Sequence, residues 1–326
     1  MTQNNDRMEN FLDFIKNNIS LAAFIVLFVL FTFTTGGKFL RSDNLLTVLG
    51  SSMDLLVCAL GATFIIMLGS IDLSAGSMVS LNGVAAAMTY LAVYKTQGPV
   101  QALIAALIVA AIVSVVCYLI MGLIHTKMKV PTFIVTLGFL SIGRAVVTMI
   151  SGGKLFIIPY DSPFKRLFGL APYMLIIGLG LFVVVWLIEH YTLFGRYTRL
   201  VGGDEIVAKL SGINVDKQKI LVFVFAGILM AIGGVIMAAR MGSGSPSAGR
   251  SYELAVISAV VLGGTSQRGG IGGVRGTLIG TLTLQILDNG LILWKMPGEV
   301  QMMIKGIILI FAVYVSLDRK PNMVVK

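Results

Sequence analysis

An acidic residue, Asp72, lies between two apolar runs in the segment GSIDLSAGS (69–77), with Ser70, Ser74 and Ser77 beside it. An ionisable side chain at membrane depth is costly and is a candidate for function. Asp72 also stands just ahead of a helical run, where a carboxylate can accept hydrogen bonds from free backbone N–H groups. The two roles are compatible, because a polar solute can contact the protein at a helix break whose cap is fixed in place.

Further polar residues interrupt the apolar runs: Asp54, Asn82, Arg144, Glu253, Gln285, Asp288, Asn289 and Lys305. Such residues supply the donors and acceptors that a neutral, hydroxylated solute needs. The alternative is hydrogen bonding between helices, which is the commoner use of polar residues in membrane spans. Arg144 could pair with an acid inside the bundle, and the sequence leaves open which one. Polarity at helix breaks makes five residues our predicted pathway or gate residues: Asp72, Ser74, Asn82, Glu253 and Asn289.

The segment VLGGTSQRGGIGGVRGTLIG (261–280) contains eight glycines between apolar runs. We interpret it as an interrupted span, in which a short helix ends at Gly263 and Gly264 and a new helix starts near Val274. Exposed backbone at membrane depth is tolerated only when it is buried in protein or lines a cavity. Gly263 and Gly264 are therefore predicted to form a close-packed turn at a moving gate. The alternative is an ordinary cytoplasmic loop whose glycines only make turns.

Several other chemistries are excluded by the residue types present. Cys58 and Cys117 lie inside apolar runs, which argues against a disulfide framework or a metal site. His125 and His190 stand at helix ends beside charged residues, so a histidine-based catalytic or metal centre is improbable. The sequence contains no phosphate-binding loop motif. We expect no cofactor or metal in this chain, and any ATP must be bound by another chain.

The composition indicates that the protein is embedded in a lipid bilayer. Of the 326 residues, 56% are hydrophobic and only 12% are charged, and the mean hydropathy is +0.92. We predict an all-α integral membrane protein, a single transmembrane domain over 1–326, with about ten transmembrane helices (eight to ten) and short or interrupted helices near 70–76 and 263–274. The ten apolar segments are 20–35, 45–69, 74–94, 98–121, 131–151, 170–189, 220–239, 252–264, 274–293 and 300–317. The eighth is too short to cross a bilayer alone.

The distribution of Lys and Arg predicts that both termini are cytoplasmic. Basic residues are more frequent in the loops that this topology places inside, and the largest basic loop, 191–219, falls inside. The net charge of +10 then reflects topology, and we expect no nucleic-acid partner. Segments 62–77 and 257–272 share a design, in which an apolar run ends in Leu-Gly and polar and small residues follow. The likeness between these two segments suggests an internal repeat. The predicted topology, however, has both segments run in the same direction through the membrane, which does not support an inverted repeat.

The hydrophilic stretch 194–220 holds five basic residues and a short helical run, Asp204–Leu210, which Gly212 ends. A loop that only connected two helices could be shorter. We therefore interpret it as a cytoplasmic docking surface; the alternative is a solvated charged loop.

The motifs GSIDLSAGS (69–77), GGDEIVAKLSGINV (202–215), YELAVISAVVLGGTSQRGG (252–270), GTLIG (276–280) and DNGL (288–291) occur in one chain. In this combination the chain resembles, from about 20 to 317, the membrane permease subunit of bacterial ABC importers for ribose and related monosaccharides. The resemblance implies a multi-pass protein of the cytoplasmic (inner) membrane that is not itself an enzyme. It also implies three kinds of partner: a second permease copy or paralogue, separate ATPase subunits that use ATP and Mg²⁺, and a periplasmic or lipid-anchored sugar-binding protein. Transport would then proceed by ATP-driven alternating access.

The resemblance makes the 191–219 loop the contact with the ATPase. The coupling residues that it implies are Arg196, Gly203, Asp204, Glu205, Lys209 and Gly212. Glu205 is followed here by Ile206 and Val207, where the coupling segment of importers has two alanines, so the helix surface is bulkier. Ser70 stands where many relatives have a second glycine. The sequence does not identify the sugar, and a nucleoside, a branched-chain amino acid or a signalling furanose is an alternative. An ion-coupled secondary transporter is the alternative from another class, with Asp72 and Glu253 as its acids, and a membrane enzyme is the weakest alternative.

Overall fold

The computed structural model describes residues 19–316, which form thirteen helices and one short antiparallel ribbon. The helices are α1 (Ile19–Thr34), α2 (Ser42–Met67), α3 (Ala75–Gln97), α4 (Pro99–Lys127), α5 (Thr132–Ser151), α6 (Pro163–Gly169), α7 (Tyr173–Tyr191), α8 (Leu193–Gly203), α9 (Glu205–Leu210), α10 (Val215–Met241), α11 (Tyr252–Leu262), α12 (Val274–Leu293) and α13 (Gly298–Ser316). The strands are β1 (Phe156–Ile157) and β2 (Ser243–Gly244), which pair Phe156 with Gly244. The chain termini, predicted to be cytoplasmic, lie outside the described residues.

Each of the ten predicted apolar segments contains a helix. Within the described residues, seven helices are long and apolar enough to cross a membrane: α2, α3, α4, α5, α7, α10 and α12. Helices α1 and α11 are apolar but shorter. With eleven residues, α11 spans about 16 Å, roughly half of a hydrocarbon core, so the prediction that it cannot cross alone is confirmed.

Helices α2, α3 and α10 form the interior of the bundle. Most of the apolar stretch of each is buried inside the protein, whereas α4, α5 and α7 bury only a minor part of theirs. The outer helices leave an apolar face exposed, as on α4, where Ile104, Ile108 and Ile112 point outward. This distribution is typical of a membrane protein, in which the outer apolar faces contact lipid rather than water.

Helix α4 packs on α3 and α10 through a seam of buried residues at every fourth position: Ala102, Ala106, Ala110, Ser114, Tyr118, Gly122 and Thr126. Most of these residues are small, and small residues let helix backbones approach closely in membranes. Ser114 contacts both neighbours, because its hydroxyl accepts a hydrogen bond from Asn82 of α3 (3.1 Å) and donates one to the carbonyl of Gly227 of α10 (2.7 Å). The seam therefore joins three helices.

Contacts between distant parts of the chain define two ends of the bundle. At the end that carries α8 and α9, the Gly270 N–H donates to the Met67 carbonyl, and the Ser20 hydroxyl donates to the Leu262 carbonyl. We call this the loop end. At the opposite end, the side-chain amides of Asn44 and Asn289 bond each other. The start of α1 thus lies at the loop end, together with residues 191–219, which we call the coupling loop after their predicted role.

Candidate functional site

The first helix break, 68–74, begins where α2 ends and α3 has not yet started. Asp72 is 2% exposed, and its Oδ1 accepts hydrogen bonds from the Ser74 N–H (2.8 Å) and the Ser74 hydroxyl (2.6 Å). The Tyr118 hydroxyl donates to the Asp72 Oδ2 at 2.5 Å. Both carboxylate oxygens are therefore held by the protein. This arrangement matches the predicted role at the start of a helix, and Ser74 is engaged in the same turn.

The second break, 263–273, separates α11 from α12 at the predicted positions. α11 ends at Leu262, with Gly263 next in the chain, and α12 begins at Val274. Between them the chain folds back on itself, with the Ser266 N–H donating to the Ile271 carbonyl at 3.1 Å. Gly264 has a φ of +88°, a conformation that a side chain would disfavour. The segment is thus an ordered, non-helical interruption.

Glycines on both sides of this break bring α11 and α12 into backbone contact. A Cβ added to Gly263 would lie 2.4 Å from the Gly276 carbonyl oxygen, and one added to Gly276 would lie 1.9 Å from the Gly263 carbonyl oxygen. One turn further along α12, a Cβ at Gly280 would lie 2.0 Å from the Ala259 carbonyl oxygen. The pair Gly276 and Gly280 thus has the four-residue spacing of small residues that lets membrane helices pack closely.

The two breaks meet the coupling loop at one point at the loop end. The Gly270 N–H donates to the Met67 carbonyl at 2.8 Å. A Cβ added to Gly202 would lie 1.7 Å from that same carbonyl oxygen, and one added to Gly269 would lie 2.4 Å from the Gly202 carbonyl oxygen. Gly69, with a φ of +74°, faces the Arg268 carbonyl oxygen, which an added Cβ would approach to 3.3 Å. We call Gly69, Gly202, Gly269 and Gly270 the glycine junction; three backbone segments meet there, and Gly202, Gly269 and Gly270 leave no room for a side chain.

The coupling loop folds into α8 and α9. The Asp204 carboxylate caps α9 by accepting from the N–H groups of Ile206 (2.8 Å) and Val207 (3.0 Å), and Gly212, with a φ of +80°, follows the helix end. α9 exposes Ile206, Val207 and Leu210 on its outer surface. Of the predicted coupling residues, Arg196 and Lys209 are exposed, and Glu205 pairs with Lys219 of α10. An apolar surface on a polar loop is typical of a docking surface.

The sequence did not identify Glu189, which the structure places between the coupling loop and α12. Arg199 of α8 donates to the Glu189 Oε1 at 2.7 Å, and the Val274 N–H at the start of α12 donates to the Glu189 Oε2 at 3.0 Å. The Glu189 side chain is 8% exposed and the Arg199 side chain 45%. An acid at the end of an apolar helix gave no signal by itself, because Val274, whose N–H it accepts, is 85 positions away in sequence.

A cavity of about 360 Å³, lined by both polar and apolar residues, lies beside the start of α11. It is lined by Ser80, Arg144, Thr148, Pro246, Gly249, Arg250, Ser251 and Met302. Arg144 forms an ion pair with Glu253 at 3.3 Å, which identifies the acid that the sequence left open. Glu253 is buried at the first turn of α11, so a predicted pathway residue stands behind the cavity and contacts it through Arg144.

The other two predicted pathway residues lie between helices. Asn82 is fully buried and donates to Ser114, and its Oδ1 has no hydrogen-bond partner in the described structure. Asn289 of α12 and Asn44 of α2 exchange two hydrogen bonds of 2.9 Å. Four of the five predicted pathway residues therefore lie outside the cavity lining: Asp72, Ser74, Asn82 and Asn289. The hydrogen bonds described for them are made within a helix break or between helices.

A buried ion pair holds the loop that precedes α11. Asp54 of α2 is 1% exposed and accepts from the Arg240 Nε (3.0 Å) and Nη2 (3.2 Å) at the end of α10. The Tyr252 hydroxyl, at the start of α11, donates to the Asp54 Oδ2 at 3.1 Å. In the sequence, Asp54 stood out only as a polar residue that interrupts an apolar run. These contacts fix both ends of the segment 242–251, which carries much of the cavity lining.

Residues 44–313 match the family model described as "Branched-chain amino acid transport system / permease component". The chain is 36% identical to the ribose import permease protein RbsC of Escherichia coli K12 over 309 residues, covering 91% of this chain and 92% of that protein. It is 38% identical to RbsC of Bacillus subtilis, covering 93% of each. It is 31% identical to the xylose transport system permease protein XylH of Haemophilus influenzae, covering 94% and 97%. No solved structure matches the chain.

Proposed function

Because this chain belongs to the branched-chain amino acid transport system permease family, we propose that it is the permease subunit of an ATP-binding-cassette importer and forms the pathway for a monosaccharide. Similarity to permeases named for ribose and xylose supports the substrate class, since it extends over more than nine-tenths of both chains. A multi-pass permease of the cytoplasmic membrane fits the seven apolar helices.

The observation that carries the proposal is the glycine junction. Gly202 of the coupling loop contacts Met67 before the first break and Gly269 in the second break, all through backbone atoms. Backbone contacts of this kind leave little freedom for one segment to move without the others. A displacement of α8 and α9 by an ATPase therefore reaches both interrupted segments directly, as alternating access requires.

The cavity beside α11 is our proposed part of the sugar pathway. Its volume lies within the range of small-ligand pockets, roughly 300–1,000 Å³. Arg144, with 44% of its side chain exposed, lies on α5 among outward apolar residues such as Ile142 and Val146. A charged group there is costly against lipid. We infer that a second permease copy or a paralogue covers this face between α5 and α13, and that the covered space is aqueous.

The remaining partners follow from the same proposal. Separate ATPase subunits bind ATP and Mg²⁺ and dock on α9 through Ile206, Val207 and Leu210, and a periplasmic or lipid-anchored protein delivers the sugar to the opposite end. The loop end is then cytoplasmic, and both termini lie on that side. Ten helices contribute to the membrane domain, with α11 entering only partway. This chain holds no catalytic role.

The test is to purify the complex from its native membranes through a tag on this chain, in mild detergent. We expect an ABC-type ATPase to copurify at constant stoichiometry and to be lost from the variant Ile206→Asp. The matched control is Ile157→Asp, because both side chains are 72% exposed and Ile157 lies in the ribbon outside the coupling loop. A chain that purifies alone and still carries D-ribose into liposomes along an ion gradient would refute the proposal in favour of a secondary transporter.

The same preparation tests the substrate. Reconstituted complex, supplied with its sugar-binding protein on the opposite side, should take up radiolabelled D-ribose or D-xylose only when ATP and Mg²⁺ are present on the ATPase side. Uptake of L-leucine or a nucleoside instead, with neither sugar transported, would move the chain to another branch of the family.

A further inference from the structure

We infer that the Glu189–Arg199 ion pair is the link through which the coupling loop positions the N-terminus of α12, and that it converts movement of α8 into opening of the gate. The inference rests on the proposed function. The inference goes beyond that function by naming a specific positioning pair, in which neither residue needs to contact sugar or nucleotide.

The first step is the way α12 begins. Its N-cap is Gly273, which has no side chain with which to bond the free N–H groups of the first turn. The Glu189 carboxylate supplies the missing acceptor to Val274, and a Cβ added to Gly273 would lie 2.1 Å from the Glu189 Oε1. The glycine therefore makes room for a cap that comes from another helix. A carboxylate at this position also interacts favourably with the helix dipole.

The second step is that the same carboxylate is held from the coupling loop. Arg199 lies in the last turn but one of α8, and its guanidinium bonds both the Glu189 Oε1 (2.7 Å) and the Gly272 carbonyl (3.3 Å). One guanidinium thus contacts the end of α7 and Gly272, two residues before α12 begins. A charge-assisted bond of this length is among the stronger ones in proteins, and its geometry is directional.

The third step is what α12 carries. With twenty residues, it is about 30 Å long and crosses the bundle from the loop end to the opposite end. It packs backbone to backbone on α11, whose first residues stand behind the cavity, and it bonds α2 through Asn289 and Asn44. A tilt imposed at Val274 is therefore transmitted to the cavity wall and to the far end.

The decisive variant is Arg199→Gln, which removes the link while leaving Glu189 in place to cap α12. The tagged complex is purified from native membranes, reconstituted in liposomes, and tested for D-ribose and D-xylose uptake and for ATP hydrolysis in the same sample. We expect uptake per ATP hydrolysed to fall at least tenfold, with copurified ATPase and basal hydrolysis within twofold of wild type. Arg199→Lys, which keeps the charge, should restore uptake per ATP to within threefold of wild type.

The matched control is Asp216→Asn, which removes the ion pair between Lys127 of α4 and Asp216 of α10 at the same end of the bundle. That pair is exposed on both sides and should leave uptake per ATP unchanged. Unchanged uptake per ATP in Arg199→Gln would overturn the link while the proposed function stands. The link would also be overturned if both Arg199 variants gave a lower yield of complex with unchanged uptake per ATP hydrolysed, because the pair would then be only structural. A wild-type complex that hydrolyses no ATP or transports neither sugar would overturn the proposed function, and the link with it.

Discussion

Replacing Gly202 by alanine should disable transport, because this one residue joins the coupling loop to both helix breaks. The added Cβ would lie 1.7 Å from the Met67 carbonyl oxygen and 2.9 Å from the Gly270 nitrogen, both of them backbone atoms, and real Cβ contacts essentially never fall under 3.0 Å. No side chain can rotate away to relieve these contacts. The three backbones must separate, and the hydrogen bond from the Gly270 N–H to the Met67 carbonyl must lengthen or break.

The expected cost combines two effects. Overpacking at a filled site costs about 1–3 kcal/mol, and loss of one buried hydrogen bond adds about 1 kcal/mol, for a total of about 2–4 kcal/mol. For a chain of 326 residues the midpoint of thermal unfolding in detergent should then fall by about 3–6 °C. ATP-driven uptake should fall more steeply than stability does, because the altered contact is the one through which α8 moves the breaks.

The matched control is Gly180→Ala, since Gly180 lies exposed on α7 and a Cβ there meets no atom within 4 Å. Alanine favours a helix interior by about 1 kcal/mol over glycine, so the control should be neutral or slightly stabilising. Midpoints and uptake rates are measured side by side on reconstituted protein. If Gly202→Ala matched Gly180→Ala in both, the close approach at the glycine junction would be irrelevant to coupling, and the reasoning would be refuted.

Two further changes test the cavity and its support. Arg144→Ala leaves Glu253 buried without its partner; because the arginine is partly exposed, the cost should be about 1–2 kcal/mol, with strongly reduced sugar uptake. Adding Glu253→Gln should restore the thermal midpoint but not uptake, and a double variant no more stable than Arg144→Ala would contradict the pairing. Asp54→Asn leaves the Arg240 guanidinium without a counter-charge and should lower stability by about 3 kcal/mol, seen as a lower thermal midpoint. An unchanged midpoint would show that the pair does not hold the loop before α11.

Local sequence features were sufficient to predict the helices of the ten apolar segments and the breaks between them, whereas the short helices α6 and α8 were not predicted. Apolar runs long enough to form membrane helices, interrupted by Gly and polar residues, predicted the ends at Gly263 and Val274 correctly, because glycine disfavours helix interiors wherever it lies. The short strands at 156–157 and 243–244 escaped prediction, since two residues carry no periodic pattern.

The pairing of polar residues could not be predicted in the same way. Arg144 and Glu253 are 109 positions apart, and Arg240 and Asp54 are 186 apart. Which acid meets which base depends on how the helices pack, and a single sequence contains no direct information on that. The glycine junction shows the same limit: the glycine-rich segments were evident, but their meeting with Gly202 was not.

The buried seam of α4 has a consequence for which parts of the protein can move. A row of residues at every fourth position follows a ridge of the helix that is inclined at about 26° to its axis. Helices α3 and α10 pack against α4, and Ser114 ties both of them to the same point. We therefore expect α3, α4 and α10 to move as one unit, and the movements of a transport cycle to fall on α11, α12 and α13.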